Sequence, residues 1–308
     1  RGAGQTLNIQ VLPGDRTETY SISLTDPSLW DTDYSGAGTL YFRSRDYDEF
    51  DEERYGGNLQ LGRRFGTRWT GNLTTRLESI NLSNIEPDRP TDVFEVQDRR
   101  DLTGVGVTLS RTSIDDPYRP RKGQRLEIGA QQIGLLGGDF DFTKLEASHS
   151  IFFAVNEDFL GRATILSFKT EVGYIPQGRE SVPVYERYYN GGNSFRGFDF
   201  RTISPKGIAN DSGLPTNDPI GGTYSFFFGT ELEQPVFEEM ISIVGFIDTG
   251  TVSFNPGFDE YRVSAGLGIR VYVPQLSPAP LAFDFGFPLL SEDRDEDRLF
   301  SFSIDLPY

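Results

Sequence analysis

The chain reads as an all-β protein: a transmembrane antiparallel β-barrel of about fourteen strands. Three observations predict this. Apolar and polar residues alternate with period two almost from end to end. The alternating runs are about 9–12 residues long, which suits a tilted bilayer crossing better than a globular strand. The connections alternate too, one set short and rich in Pro or Gly, the other mostly longer and acidic, as when short periplasmic turns oppose long external loops.

Taken in order, Thr6–Val11 sets Leu7, Ile9 and Val11 against Thr6, Asn8 and Gln10. Thr19–Thr25 sets Tyr20, Ile22 and Leu24 against Ser21, Ser23 and Thr25. In Ile165–Tyr174, Leu166, Phe168, Val172 and Tyr174 face one way, and Ser167, Lys169, Glu171 and Gly173 the other. Tyr261–Val273 opposes Val263, Ala265, Leu267, Ile269, Val271 and Val273 to Arg262, Ser264, Gly266, Gly268, Arg270 and Tyr272. The last segment opposes Phe300, Phe302, Ile304, Leu306 and Tyr308 to Ser301, Ser303 and Asp305. A polar face that carries Lys, Glu, Arg and Gly fits a water-filled lumen better than the inside of a sandwich.

The short connections are Asp26–Thr32, Arg63–Thr67, Asp115–Gly123, Asn156–Gly161, Gln234–Glu239 and Pro274–Pro280. The mostly longer ones are Asp46–Glu53, Asn84–Asp101, Ile175–Thr223, Asn255–Glu260 and Ser291–Arg298. This places both ends of the chain on the periplasmic side and makes residues 1–308 one domain.

Composition narrows the function. With 308 residues the chain can form one large barrel, and no run approaches the length of a transmembrane helix. It has no Cys, one His and 34 Gly, and 13% of it is aromatic, which favours girdled, tight-turned β structure over a metalloenzyme. A net charge of −17 speaks against nucleic acid, whose phosphates need a basic face. No G-x-S-x-G, Walker loop or metal-ligand cluster occurs, so no catalytic residue, metal or cofactor is expected. His149 has no Ser/Asp constellation beside it and reads as structural. The acidic runs Asp46–Arg54 and Ser291–Arg298 lack calcium-loop spacing and read as solvated external loops.

The densest signal lies in the longest connection: Tyr189-Asn190-Gly191-Gly192-Asn193-Ser194-Phe195-Arg196-Gly197-Phe198. Arg suits a buried, bidentate grip on a carboxylate. The glycines allow a tight reversal. Together they predict a loop tip tucked into the lumen and pinned there by an acid. Charges on the lipid face are costly, so the strand carboxylates Glu231, Glu233, Asp248 and Asp284 are expected inside. The bland alternative is a solvated Arg196.

These residues resemble a known family. Gly191–Phe198 is similar to the G-G-x-x-[VLF]-R-G-[FY] motif of the BamA-type outer-membrane assembly family, which folds its sixth external loop into the lumen. Five strands follow the motif there, and about five here. Phe246-Ile247-Asp248-Thr249-Gly250 matches the family's F-x-D-x-G motif, whose acid can meet the loop Arg. Thr25–Trp30 and Asp116–Gly123 look like two of its periplasmic turns. The C-terminal strand signal ends on Tyr308.

The resemblance implies a barrel of about sixteen strands. The turn at Thr25–Trp30 comes two strands early, so two further strands and the POTRA domains are expected upstream of Arg1. It also implies folding and insertion of nascent outer-membrane proteins through a lateral seam, as core of a BAM-like complex. Arg196, Gly197 and Phe198 with Asp248, Glu231 and Asp284 would form a loop–lumen latch. Phe300, Phe302, Ile304, Leu306 and Tyr308 would form one side of the seam. Implied partners are unfolded clients, BAM-type lipoproteins, the bilayer and lipopolysaccharide. The alternative within the superfamily is a secretion or solute transporter, TamA-like or of the two-partner secretion type.

Overall fold

A computed structural model describes residues 4–304 except 158, 160, 238–239 and 274–278. Leu306 and Tyr308 lie outside the described residues.

The strands are β1 (Thr6–Leu12), β2 (Thr17–Asp26), β3 (Tyr34–Asp46), β4 (Asp51–Phe65), β5 (Trp69–Ser83), β6 (Asp98–Thr112), β7 (Gly123–Ile133), β8 (Phe142–Glu157) and β9 (Ala163–Tyr174). Within the long loop lie β10 (Gly197–Phe198), β11 (Lys206–Ile208) and β12 (Pro215–Pro219). Then follow β13 (Tyr224–Phe237), β14 (Ile241–Ser253), β15 (Arg262–Val271), β16 (Leu281–Leu290), the two-residue β17 (Asp297–Arg298) and β18 (Phe300–Ile304). One short helix, α1 (Thr91–Phe94), sits in the connection before β6.

Fourteen of these strands form one antiparallel sheet, in chain order from β1 to β18 with β10, β11, β12 and β17 set apart. Every neighbour pair is antiparallel, and most are joined by a short turn that fixes the register together with the two-residue alternation; β9 and β13 are joined instead across the long loop 175–223. The alternation is inside-out relative to a soluble protein. Leu59 and Leu267 on the outer face are 66% and 69% exposed, whereas Asp248 and Ser264 on the inner face are 1% and 0% exposed. Only a lipid exterior makes that pattern favourable.

The connections differ from the sequence expectation in three places. Strands extend further into the predicted turns, so that the connection after β3 shrinks to residues 47–50 and β6 already begins at Asp98. Gln234 and Pro235 belong to β13 rather than to a turn. Pro235 has no N–H to give the ladder, and the register to β14 shifts between Pro235 and Phe237, the bulge such a residue requires. The loop between β9 and β13 is not featureless: it carries two single-turn 3-10 helices and three short strands.

The predicted Asp115–Gly123 turn is built by its two acids. Asp115 accepts backbone N–H bonds from Asp116, Arg121 and Lys122 at 3.1, 3.0 and 3.2 Å. Asp116 accepts those of Tyr118 and Arg119 at 2.8 and 2.9 Å.

A hydrophobic core sits at the external end of the barrel. Val182, Val184, Ile175 and Ile220 of the long loop pack with Val93 of α1, with Phe50 of the connection after β3, and with Ile80, Leu102 and Phe142 from the upper strands. Loops thus cap the lumen with a core of their own.

Candidate functional site

The loop enters the lumen beside β13. Tyr188 bridges Gly222 and Asn190 bridges Ile203, so the descending and returning limbs are tied together. At the tip Gly191, Gly192 and Gly197 have φ of 127°, 65° and 94°, a region closed to most side chains. The Gly192 N–H donates to the Phe198 carbonyl at 2.8 Å and closes the reversal.

That reversal projects Arg196 at the wall formed by β13–β16. Arg196 Nε and Nη2 donate to the two Asp248 oxygens, both at 2.8 Å, and the Arg196 backbone N–H reaches Asp248 Oδ2 at 3.1 Å. Nη1 donates to Glu231 Oε2 at 2.7 Å. The guanidinium carbon lies 3.5 Å from the Phe246 ring centroid. Gly266 makes room for that ring, since a Cβ there would strike it. The Arg196 carbonyl accepts from Ser264 Oγ at 2.5 Å. Arg196 is 7% exposed, Glu231 3% and Asp248 1%, so this is a buried, charge-assisted grip and not a solvated side chain.

Asp284 stands one step away. It is 4.0 Å from Arg196 Nη1 and is held by Arg270, whose Nη1 donates to it at 2.7 Å and whose Nη2 donates to Glu231 at 3.1 Å. Two guanidinium groups therefore interleave with three carboxylates. Sequence reasoning placed Arg270 on the polar face but did not give it a partner. Its signal was the same parity that put Asp284 inside.

Gly197 and Phe198 complete the tip. A Cβ on Gly286 would lie 2.5 Å from the Gly197 nitrogen, so loop and wall meet backbone to backbone. Phe195 packs edge-on against Phe198 and Phe227, with centroids 5.3 and 5.6 Å away. Gly197 and Phe198 also pair with Arg298 and Asp297 of β17, tying the tip to the last external connection.

A second anchor holds the loop to the opposite wall. Glu186, 4% exposed, accepts from Arg76 of β5 at 2.5 Å and from Arg54 of β4 at 3.2 Å, with Lys144 of β8 at 3.6 Å. Glu78 bridges the same two arginines at 2.6 and 3.1 Å. A third lies in the cap. Asp92 accepts from Arg187 Nη1 at 2.6 Å and from Arg179 Nε at 2.8 Å. Burial opposes ionisation of Asp92, but the hydrogen bonds from Arg179 and Arg187 outweigh it and hold the carboxyl below the usual carboxylate range. Sequence reasoning missed Glu186, Asp92 and Arg187. Glu186 is the lone acid of the aromatic run Val184–Tyr189, and lumen-facing Arg54 and Arg76 require such a partner.

The C-terminal strand carries Phe300, Phe302 and Ile304 outward, 46%, 45% and 51% exposed. They pair with Phe285, Phe283 and Leu281 of β16, and the Phe283–Phe302 and Phe285–Phe300 rings are 5.1 and 5.2 Å apart. Among the described residues β18 pairs on one side only.

A lipid-facing antiparallel wall with an arginine-tipped loop latched inside defines a class of bacterial outer-membrane barrels. The chain belongs to the Omp85 superfamily, whose domain model matches residues 1–306. Its barrel is of the BamA type. It is 29% identical over 313 residues to "Outer membrane protein assembly factor BamA" of Nitratidesulfovibrio vulgaris, which covers 96% of this chain and 37% of that protein. It is 23% identical over 323 residues to the protein of the same name from Neorickettsia risticii, covering 100% of this chain and 41% of that one. The chain therefore spans roughly two fifths of these curated relatives, 37% and 41%. The solved structure of BamA from Haemophilus ducreyi lacking POTRA domains 1–3 superposes with a TM-score of 0.85 at 20% identity, over 98% of this chain and 64% of that one. CdiB from Acinetobacter baumannii shares the fold with a TM-score of 0.63 at 17% identity, over 97% and 52%.

Proposed function

We propose that this chain is the barrel domain of an outer-membrane protein assembly factor, which folds and inserts nascent β-barrel proteins through its wall. The observation that carries the reading is the filled lumen: a loop latched by Arg196 at one wall and by Glu186 at the other, under an apolar cap. A lumen so occupied directs the work to the wall. The names of the curated relatives support it. Those relatives are named as assembly factors, not as enzymes.

The mechanism is physical. In a bilayer an unpaired strand edge is costly, so an incoming strand gains by pairing with any edge offered to it. β18, with its outward Phe300, Phe302 and Ile304, serves as one side of the seam and templates the client by β-augmentation. The latch keeps the inner ends of β13–β16 fixed while that seam opens. Unfolded outer-membrane clients, BAM-type lipoproteins, the bilayer and lipopolysaccharide are the partners this reading implies. Upstream strands and POTRA domains belong to the same proposal.

The test is reconstitution of the full-length protein in vesicles with an unfolded client barrel. Cysteines placed along β18 should cross-link to the client's terminal strand during insertion. Export of a soluble passenger with steady ion conductance, and no cross-link, sinks the reading in favour of a secretion transporter.

A further inference from the structure

A second feature lies on the outside of the wall, at the turn between β4 and β5. Arg63-Arg64-Phe65-Gly66-Thr67-Arg68-Trp69 contains three arginines, two aromatics and no acid, in a chain with 46 Asp and Glu against 29 Lys and Arg. The register shows which of these face lipid. Arg63 pairs with Gly71, which pairs with Leu109, which pairs with Ile128. Phe65 pairs with Trp69, and Trp69 with Arg111. Phe65, Leu109 and Ile128 are 49%, 42% and 50% exposed, so this row is the outer face. Arg64 and Arg68 do not share this row and are set aside.

The outward arginines lie beside aromatic rings. The Arg63 guanidinium is 5.0 Å from the Tyr34 ring and donates to its hydroxyl at 3.0 Å. Arg111 is 5.7 Å from the Trp69 ring. Among the described residues no carboxylate forms an ion pair with Arg63 or Arg111. The lumenal arginines described above all find acids, so the contrast is local. Beside Arg63, which lines it, an outward cleft of about 550 Å³ runs over Gly71, Leu73, Val107 and Ala130, where Gly71 and Ala130 leave a trough in the wall.

We propose that this cleft binds one phospholipid with a net-anionic headgroup from the periplasmic leaflet. Its phosphate sits at Arg63, with Arg111 of the same outer row adding a second cation, and an acyl chain lies in the trough over Gly71 and Ala130. Charge complementarity selects the occupant. The guanidinium fork matches a phosphate, and Tyr34, Phe65 and Trp69 stand at the headgroup depth that such rings prefer. The short-turn side of the barrel is the periplasmic side, which makes a glycerophospholipid the occupant rather than lipopolysaccharide.

The test releases full-length protein from nanodiscs of mixed phosphatidylglycerol and phosphatidylethanolamine, and counts retained lipids by native mass spectrometry. The wild type should retain phosphatidylglycerol in preference. Each arginine removed should weaken that preference roughly fivefold, so R63Q/R111Q should cut it about 25-fold while phosphatidylethanolamine retention stays the same. Ala130→Leu, which fills the trough and leaves the charge alone, should also lower phosphatidylglycerol retention. Equal loss of both lipids in the double variant, or no loss, overturns the site. So does preferential retention of lipopolysaccharide supplied in equal amount. Should the double variant fail to fold by heat-modifiability, R63Q at the lip of the cleft decides alone: unchanged phosphatidylglycerol retention rejects the proposal.

Discussion

The Asp248 carboxylate holds Arg196 three times, through two side-chain bonds of 2.8 Å and one backbone N–H bond of 3.1 Å. One acid therefore fixes both the side chain and the main chain of the loop tip. Position and charge are specified together, which a single contact does not achieve.

Replacing Arg196 with Ala leaves Asp248 and Glu231 buried without their cation. Loss of one partner of a buried pair costs about 3–5 kcal/mol. Arg196→Ala should lower the temperature at which the barrel loses its heat-modifiable band and should release the loop to external protease. Arg196→Lys keeps the charge but not the fork, and should fall between the two. A variant as heat-stable and protease-resistant as wild type would remove the latch from the account.

The backbone contact is tested separately. Gly286→Ala places a Cβ 2.5 Å from the Gly197 nitrogen, where no flexible side chain can give way. Overpacking of this kind costs roughly 1–3 kcal/mol. Because it displaces the same tip, Gly286→Ala combined with Arg196→Ala should destabilise by less than the sum of the two. Full additivity in thermal melts would mean that the glycine and the arginine act independently.

Acid should loosen the cap before the barrel. Asp92 has a folded pKa below its unfolded value of about 3.9, because Arg179 and Arg187 outweigh its burial. A depressed carboxylate contributes stability that is present in full above the unfolded pKa and lost as pH falls through the folded one. Protection of residues 175–223 should thus be flat from neutral pH down to about 5 and erode below about 4. Asp92→Asn should be less protected throughout and should lose that part of the pH dependence. Pulse proteolysis with pepsin across this range checks it, and parallel curves for the two proteins would exclude Asp92 as the titrating group.

The sheet was legible because each strand repeats one rule twice per residue pair, lipid on one side and lumen on the other. The Arg196–Asp248 contact was legible because parity put Asp248 inside and only one arginine stood in the glycine-rich reversal. The other anchors were hidden by distance. Glu186 meets Arg54 across 132 positions of sequence, and nothing local marks the wall a loop residue will reach. Residues 175–223 read as one long connection because their order comes from packing against the cap, not from propensity.

Glu186 gives the last prediction, and it separates a strut from a simple plug. The loop is fixed at both walls, by Arg196 to β13 and β14 and by Glu186 to β4 and β5. If the loop merely fills space, cutting either end should matter little while the other holds. If it braces the barrel, each end needs the other. Glu186→Gln removes a charge that compensates Arg54, Arg76 and Lys144, leaving Glu78 to serve two guanidinium groups with help from Glu52 at Arg54 alone. The loss should be about 3 kcal/mol or more, as for other broken buried pairs. The variant should lower the heat-modifiability midpoint as Arg196→Ala does, and spin labels on β4 and β14 should report a broader distribution of distances across the lumen. An unchanged distribution in both variants would leave a plug and remove the brace, and with it the fixed wall that the proposed seam opening through β18 requires.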